Sequence, residues 1–172
     1  MSVAETLPLG WLTDAEADYL AREATDKLVL EVGTYLGRST VAMARTAKCV
    51  ITVDHHHGPP QDASGPTTER FLANLNDYAV SEKVIPIVAG FERVAAHLRG
   101  GFGLAFIDGA HDGIAVLRDA RLAYHLLGVG APMVFHDYEV HVGVTSAVHE
   151  LCRRWGRGHV RVAESLAVIY KG

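Results

Sequence analysis

Residues 28–40 read LVLEVGTYLGRST, and this stretch decides the fold. Its apolar run Leu28–Val32 predicts a buried strand. Gly33 and Gly37 then predict a tight turn, and a helix is predicted over residues 39–47. A strand, a glycine turn and a helix start form a corner where free N–H groups and the positive end of the helix dipole face outward. The stretch therefore predicts a cofactor-binding or anion-binding corner.

The spacing of this corner separates it from the dinucleotide fingerprint. That fingerprint is G-x-G-x-x-G, whereas Glu31, Gly33 and Gly37 give E-x-G-x-x-x-G. A buried acid at the end of the strand suits a cationic ligand such as an ammonium or sulfonium group and would repel a pyrophosphate. The alternative is an ordinary strand-to-helix turn of any α/β protein.

Length and composition predict one globular domain over residues 1–172, with an N-terminal helical segment over residues 1–25. Hydrophobic residues make up 49% and charged residues 21% of the chain. The net charge of −4 argues against a nucleic-acid partner, and no apolar run is long enough to predict a membrane partner. No secretory signal is visible, and Cys49 and Cys152 lack metal or redox spacing. These features predict a cytoplasmic protein with reduced thiols.

The rest of the chain alternates between strand and helix patterns. Thr13-Asp14-Ala15-Glu16 is a capping box that predicts a helix ending near Ala24. Further strands are predicted at residues 49–54, 84–89, 103–107 and 131–135, and further helices around residues 71–78, 91–98, 116–127 and 144–155. Two short runs at 160–162 and 166–170 predict a closing hairpin, whereas residues 55–67 predict a loop. This alternation predicts a doubly wound parallel sheet with helices on both faces.

Polar side chains follow the predicted strands where each strand ends. Asp54 ends the second strand, Asp108 and His111 follow the fourth, and His136 and Asp137 follow the fifth. Six of the ten histidines lie in loops at this edge: His55, His56, His57, His111, His136 and His141. Because ligands bind at the carboxyl ends of strands in open parallel sheets, this edge is the predicted functional site.

Four blocks carry a resemblance to class I S-adenosylmethionine (SAM) methyltransferases over about residues 26–171. The blocks are residues 31–40, 53–55, 106–111 and 134–138. More narrowly, the chain resembles the small bacterial group related to macrocin O-methyltransferase and cephalosporin-hydroxylase-like proteins. The resemblance implies a Rossmann-like seven-stranded sheet of order 3-2-1-4-5-7-6 with one antiparallel strand.

The resemblance also implies the cofactor contacts. The backbone of Gly33, Thr34 and Tyr35 would hold the methionine part of SAM, with Glu31 near its ammonium group. Asp54 would accept hydrogen bonds from both ribose hydroxyls, because a carboxylate offers two acceptors for two donors. The implied cofactor-binding set is Glu31, Gly33, Thr34, Tyr35, Gly37, Ser39, Asp54, His55, Gly90, Phe91 and Asp108. Gly90 and Phe91 would lie beside the adenine.

Several relatives of this kind bind a divalent metal through acids after the fourth and fifth strands. The matching positions are Asp108, His136 and Asp137, with a histidine where some relatives carry another acid. Because imidazole is softer than carboxylate, Mn, Fe, Ni or Zn suits this set as well as Mg. The alternative is that Asp108 contacts only the cofactor and that His136 has a packing or hydrogen-bonding role.

His111 is predicted to be the catalytic base, with Asp108 beside the reaction. It precedes a helix predicted to start near Asp112, and the positive end of that helix should keep the imidazole neutral near pH 7. A loop histidine that only stabilises the turn is the alternative. His55, His56 and His57 either line the pocket or belong to a solvated loop.

The sequence analysis favours O-methylation of a small hydroxylated acceptor. A metal-dependent hydroxylase-like or hydrolytic enzyme and a non-catalytic SAM-binding module are the competing hypotheses. Only the N-terminal segment and the loops 55–67 and 138–143 are available to recognise an acceptor. Either the acceptor is small or a second subunit completes the pocket, so a homodimer is a further hypothesis.

Overall fold

A computed structural model describes residues 7–58 and 65–172 of the chain. Its helices are α1 (Asp14–Ala24), α2 (Arg38–Ala44), α3 (Thr68–Asp77), α4 (Phe91–Val94), α5 (Gly113–Leu126) and α6 (Val142–Trp155). Its strands are β1 (Leu28–Val32), β2 (Cys49–Asp54), β3 (Val84–Val88), β4 (Leu104–Ile107), β5 (Pro132–Phe135), β6 (Val160–Arg161) and β7 (Ala167–Tyr170). Short 3₁₀ turns occupy Ser81–Lys83 and Ala95–His97.

The seven strands form one sheet of order β3-β2-β1-β4-β5-β7-β6, which confirms the predicted topology. Strands β1 to β5 pair in parallel, and β7 pairs antiparallel with both β5 and β6. The central strand β1 pairs with β2 on one side and with β4 on the other, which explains its continuous apolar run. The carboxyl ends of β1, β2, β4 and β5 therefore lie side by side.

Two apolar clusters cover the two faces of the sheet. Side chains of α1, α2 and α3 pack on one face, and side chains of α5 and α6 pack on the other. Leu20 and Phe71 are fully buried on the first face, and Val148 and Leu151 on the second. The sheet is consequently covered on both sides, as the alternating pattern predicts.

Helix boundaries follow local capping chemistry. The capping box of α1 is formed as predicted, since Thr13 accepts from the backbone of Glu16 and the Glu16 side chain accepts from the backbone of Thr13. Asp112 caps α5 by accepting from the Ala115 N–H. Helix α2 begins one residue before the predicted start and ends at Ala44, three residues before the predicted end.

Parts of two predictions lie outside the described residues: residues 1–6 of the N-terminal segment and residues 59–64 of the loop 55–67. Among the helices of the described part, none is both long and apolar enough to cross a bilayer.

Candidate active site

A cavity of about 650 Å³ lies at the carboxyl ends of the parallel strands. It is lined by residues that follow all five parallel strands of the sheet. The predicted site residues among them are Gly33, Thr34, Tyr35, Ser39, Asp54, His55, Gly90, Phe91, Asp108, His111, His136 and Asp137. Glu31 and Gly37 are the two predicted site residues outside this lining.

Asp54 shapes the turn after β1 through its carboxylate. One oxygen accepts from the backbone N–H groups of Thr34 (2.7 Å) and Tyr35 (3.0 Å), and the other accepts from the His56 N–H (2.7 Å). Burial would raise the pKa of Asp54, but these three donors outweigh burial and lower its pKa. A carboxylate has about four acceptor positions, so about one remains for a ligand, fewer than the two that the sequence analysis assigned to a ribose.

Glu31 is fully buried beneath the cavity. Its carboxylate accepts hydrogen bonds from the side chains of Ser39 and Thr40. Burial is the main cause that raises its pKa, to about 7, although the hydroxyl donors oppose the shift. Glu31 therefore stabilises the first turn of α2. Of its two hydroxyl partners, Ser39 lines the cavity.

Position 33 requires glycine because of its backbone conformation and its close contact with another strand end. Gly33 adopts φ +90°, and a Cβ atom there would lie 2.4 Å from the backbone carbonyl carbon and oxygen of Asp108. Gly37 adopts φ +86°, and a Cβ atom there would lie 2.9 Å from the Phe71 ring. The tight turn predicted at these glycines thus brings β1, β4 and α3 together, and Gly33 also lines the cavity.

His136 lies among three carboxylates and is only 6% exposed. Its Nδ1 is 3.1 Å from Asp108 and 3.6 Å from Asp137, and its Nε2 is 3.4 Å from Glu16. Burial disfavours the charged ring, but Asp108 and Glu16 outweigh burial and raise the pKa of His136 to about 11. The surrounding carboxylates therefore favour the charged form of the His136 ring.

Glu16 is the residue of this group that the sequence analysis recognised only as a helix cap. It is buried, and besides Thr13 it accepts from the backbone N–H (2.9 Å) and the hydroxyl (2.7 Å) of Ser165. Burial would raise the pKa of Glu16, but the hydrogen bonds from His136 and Ser165 lower it to about 2. The capping pattern was the only sequence signal at this position, and it indicates a local role.

His111 pairs with Asp137, with 3.0 Å between its Nε2 and the Oδ2 of the carboxylate. This hydrogen bond is the main cause that raises the pKa of His111, and burial opposes it only in part. The helix dipole was expected to keep the ring neutral by lowering the pKa of His111. That direction was wrong, because the effect of a carboxylate in contact outweighs that of a helix terminus. Asp137 itself adopts φ +61°, a conformation that few non-glycine residues adopt.

The three consecutive histidines after β2 have different surroundings. His56 is buried, lies 2.8 Å from the Thr67 hydroxyl and stacks on Phe71. His55 lines the cavity, and its ring packs at a tilt of 31° against the exposed ring of His57. The sequence could not separate the three, because identical neighbours carry no periodic signal.

The segment before α1 covers one side of the cavity. Gly10, Trp11 and Leu12 line the cavity, and the Trp11 ring stacks on Tyr35 with centroids 4.7 Å apart. The Arg38 guanidinium fixes the segment by donating to the carbonyl oxygens of Pro8 (3.0 Å) and Leu12 (2.7 Å) and to the carboxylate of Asp14 (2.7 Å). None of the site residues predicted from the sequence lies in this segment.

A charged group borders the far end of the cavity, beside Gly90 and Phe91. Glu92, Arg118 and Asp119 line this end, and Arg118 donates to Asp119 over 2.9 Å. Phe91 is only 4% exposed and belongs to the apolar core. A ligand at this end would therefore meet an apolar wall and a polar side with both signs of charge.

Comparisons with known proteins bear on the fold and the family. A family model described as "Methyltransferase domain" matches residues 30–138. The cofactor-bound crystal structure of Rv0187 from MTB is 22% identical, with a TM-score of 0.78, and the match covers 97% of this chain and 84% of that one. The O-methyltransferase TomG from Streptomyces achromogenes, involved in tomaymycin synthesis and solved with SAM, is 17% identical, with a TM-score of 0.74 and coverage of 94% and 82%.

A third similar structure comes from a protein with another kind of substrate. The rRNA methylase from Streptococcus thermophilus is 16% identical, with a TM-score of 0.67, and the match covers 95% of this chain and 98% of that one. At these identities the shared fold does not fix the acceptor.

Proposed function

The chain belongs to the methyltransferase-domain family, and from this premise we propose that it is a SAM-dependent enzyme that O-methylates a small hydroxylated acceptor. The observation that carries the proposal is the cavity at the carboxyl ends of β1 to β5, into which polar residues of five loops converge. SAM, when bound, supplies an electrophilic methyl group on a sulfonium. The similar structures that were solved with cofactor support the cofactor class.

The proposed cofactor site uses the turn after β1. The N–H groups of Thr34 and Tyr35 are held by Asp54, so this turn has one fixed shape before a ligand binds. Preorganised turns bind with less loss of conformational entropy. We assign Asp54 mainly to positioning this turn, with about one acceptor position left for a ribose hydroxyl. We assign the end of the cavity near Ser39 to the methionine part of SAM and the end near Phe91 to the adenine.

Proton removal is assigned to His111. Its Nε2 faces Asp137, so the ring orientation is fixed and Nδ1 is the nitrogen that takes the proton from the acceptor hydroxyl. SAM held in this cavity would give its methyl carbon to the acceptor oxygen as the carbon–sulfur bond breaks, the electrons of that bond would go to sulfur, and His111 would take the acceptor proton. Asp137 then stabilises the imidazolium that forms.

The side chains of the metal set that the resemblance implies lie close together. Asp108, His136 and Asp137 bring ligand atoms within 4.8 Å of one another, which suits a metal in number and spacing. The Nδ1 of His136 faces the two carboxylates of this set, and its Nε2 faces Glu16, as the outer nitrogen of a metal-bound histidine commonly faces a carboxylate. A divalent ion held by these residues would polarise an acceptor hydroxyl, and no step of the mechanism is routed through it.

The acceptor is proposed to be small and partly apolar. The cavity of about 650 Å³ must also hold the cofactor, which limits the space for an acceptor. Val140 lines the cavity and is 63% exposed, so an apolar part of the acceptor would cover its side chain. Ile114 and Val142 are 83% exposed outside the lining, and a second subunit that covers them is the alternative that light scattering would reveal.

Two measurements test this function. Isothermal titration with SAM should show saturable binding to the purified chain, and a methyl-transfer screen with isotope-labelled SAM should identify hydroxylated acceptors. For an acceptor found in this way, His111→Gln should reduce kcat by at least about 100-fold, the usual contribution of a general base, with little change in SAM affinity.

The outcomes distinguish the hypotheses. No SAM binding would contradict the proposal and favour a hydrolytic or hydroxylase-like enzyme. SAM binding without transfer to any acceptor class would favour a non-catalytic binding module. Methylation of RNA in the same screen would contradict the small-molecule acceptor.

A further inference from the structure

Two histidine rings and one carboxylate converge on the open rim of the cavity. The Oδ2 atom of Asp137 is 3.0 Å from His111 Nε2 and 3.8 Å from His141 Nε2. The two imidazole rings are parallel to within 3°, with centroids 4.2 Å apart. All three ligand atoms lie within 4.8 Å of one another.

The backbone builds this convergence from two separate loops. Asp137, at φ +61°, accepts through its carbonyl oxygen from the N–H groups of Val140 and His141, which brings residue 141 back over residue 137. The start of α6 also touches the loop before α5, since a Cβ atom at Gly143 would lie 2.2 Å from the His111 carbonyl oxygen. These backbone contacts therefore hold the two loops at a distance at which the two rings can face each other.

The two histidines of the rim are more exposed to solvent than His136 is. The side chains of His111 and His141 are 47% and 46% exposed, so an ion from solvent can reach both. His136 is 6% exposed, so the imidazole donors that solvent can reach are those on the rim. Asp137 is shared between the two groups.

Two imidazole nitrogens and one carboxylate oxygen form a borderline donor set with positions left open for water or a ligand. Such a set favours Zn²⁺, Co²⁺, Ni²⁺ or Fe²⁺ over Mg²⁺, which prefers oxygen ligands. Cis ligands at about 2.1 Å from one ion lie about 3 Å apart, close to the shorter of the two nitrogen–oxygen distances. A small rotation of the exposed His141 ring is enough to bring its nitrogen into the same sphere.

We propose that His111, Asp137 and His141 form a binding site for a borderline divalent transition-metal ion at the mouth of the cavity. The site differs from the set of Asp108, His136 and Asp137 that the family resemblance implies. It stands independently of methyl transfer, because it rests on the three donors alone.

The site has a consequence for the proposed reaction. When an ion is bound through Nε2 of His111, the neutral imidazole carries its proton on Nδ1 and cannot accept another. Metal binding and the base role of His111 therefore exclude each other. Zn²⁺ or Co²⁺ is expected to inhibit transfer at the concentration at which it fills the site.

Titration of the full chain, prepared without a polyhistidine tag, with Co²⁺ tests the site, since visible absorption bands report nitrogen and oxygen ligation without any substrate. One Co²⁺ per chain should bind. His141→Ala should weaken binding at least about tenfold, because it removes one of three ligands. Asp108→Asn should weaken Co²⁺ binding much less than His141→Ala does, because Asp108 acts on His111 only through its charge and is not one of the three donors.

His57→Ala is the matched control, since His57 is another exposed histidine of the same edge, outside the proposed set. Absence of Co²⁺ binding up to millimolar concentration would overturn the proposal. So would unchanged binding in His141→Ala, loss of binding in Asp108→Asn, or loss in His57→Ala. SAM binding measured on the same variants shows separately whether the proposed enzyme function survives.

Discussion

The Nε2 atom of His136 lies 3.4 Å from a carboxylate oxygen of Glu16, so the first helix reaches the polar centre at the end of β5. The same glutamate binds the backbone and hydroxyl of Ser165 in the turn before β7. One buried side chain therefore connects the N-terminal helix, the central sheet and the closing hairpin.

Glu16→Gln is expected to destabilise the protein by about 3 kcal/mol, because it removes one partner of a buried ion pair. For a domain of this size the loss corresponds to a fall in Tm of about 6–12 °C. Differential scanning calorimetry at pH 7 measures it. Glu23→Gln is the matched control, since Glu23 makes a partly exposed pair with Lys27 and should change stability by less than about 0.5 kcal/mol. Equal effects of the two changes would contradict the role assigned to Glu16.

Glu31→Gln is expected to change the pH dependence of stability. The pKa of Glu31 is raised from 4.5 to about 7 in the folded protein, so the unfolded chain ionises first as pH increases. The wild type therefore loses stability between about pH 4.5 and 7, by up to about 3 kcal/mol, and the loss persists above pH 7. Glutamine does not titrate, so the variant should gain relative to the wild type over this interval.

Urea denaturation at pH 5 and pH 8 measures the change for Glu31→Gln. Glu82→Gln, at an exposed position, is the control and should show no pH-dependent difference. A difference between the Glu31 variant and the wild type that is the same at both pH values would show that Glu31 is not protonated on burial.

Asp54→Asn is expected to weaken SAM binding at least about tenfold, or about 1.4 kcal/mol. Asparagine keeps one acceptor oxygen but turns an NH₂ group toward backbone N–H donors, either those of Thr34 and Tyr35 or that of His56. Titration calorimetry measures the affinity, with Asp77→Asn, an exposed acid of α3, as the control. Affinity within twofold of the wild type would mean that the shape of this turn does not depend on the carboxylate.

Gly143→Ala is expected to destabilise the protein by about 1–3 kcal/mol. Alanine is favoured over glycine in a helix by about 1 kcal/mol, but the added Cβ would overlap the His111 carbonyl oxygen and the contact dominates. The displacement should also separate the two rings and weaken Co²⁺ binding at least about tenfold. Gly158→Ala is the control, because a Cβ atom there meets nothing within 4 Å. A stabilised Gly143 variant with normal Co²⁺ binding would show that the two loops are not in contact.

Local and periodic signals were enough to predict the sheet. The apolar runs of β1, β2, β4 and β5 correspond to the observed strands within one or two residues, and the final hairpin was identified by its short connection. The family resemblance supplied the strand order, which hydrophobic patterning cannot give. Asp54, Asp108 and His136 could be placed at one cavity because strand ends in a parallel sheet share an edge.

What the sequence could not predict depends on partners that are distant in the chain. Glu16 satisfies a local capping pattern, and nothing in that pattern indicates Ser165 as a second partner. The sequence predicted a lowered pKa for His111, whereas its pKa is raised, because the sequence reveals the neighbouring helix and does not reveal the contact with Asp137. Side-chain packing decides both cases, and no spacing rule encodes it.

The bond from Glu16 to Ser165 joins residues 149 positions apart. In a growing chain, Glu16 therefore lacks this partner until Ser165 has been synthesised. Closing a loop of this length costs conformational entropy, and contacts between residues so far apart in the chain form slowly during folding. Strands β1 to β5 precede Ser165, so they are synthesised before the hydrogen bonds that complete the surroundings of Glu16 and, through it, of His136.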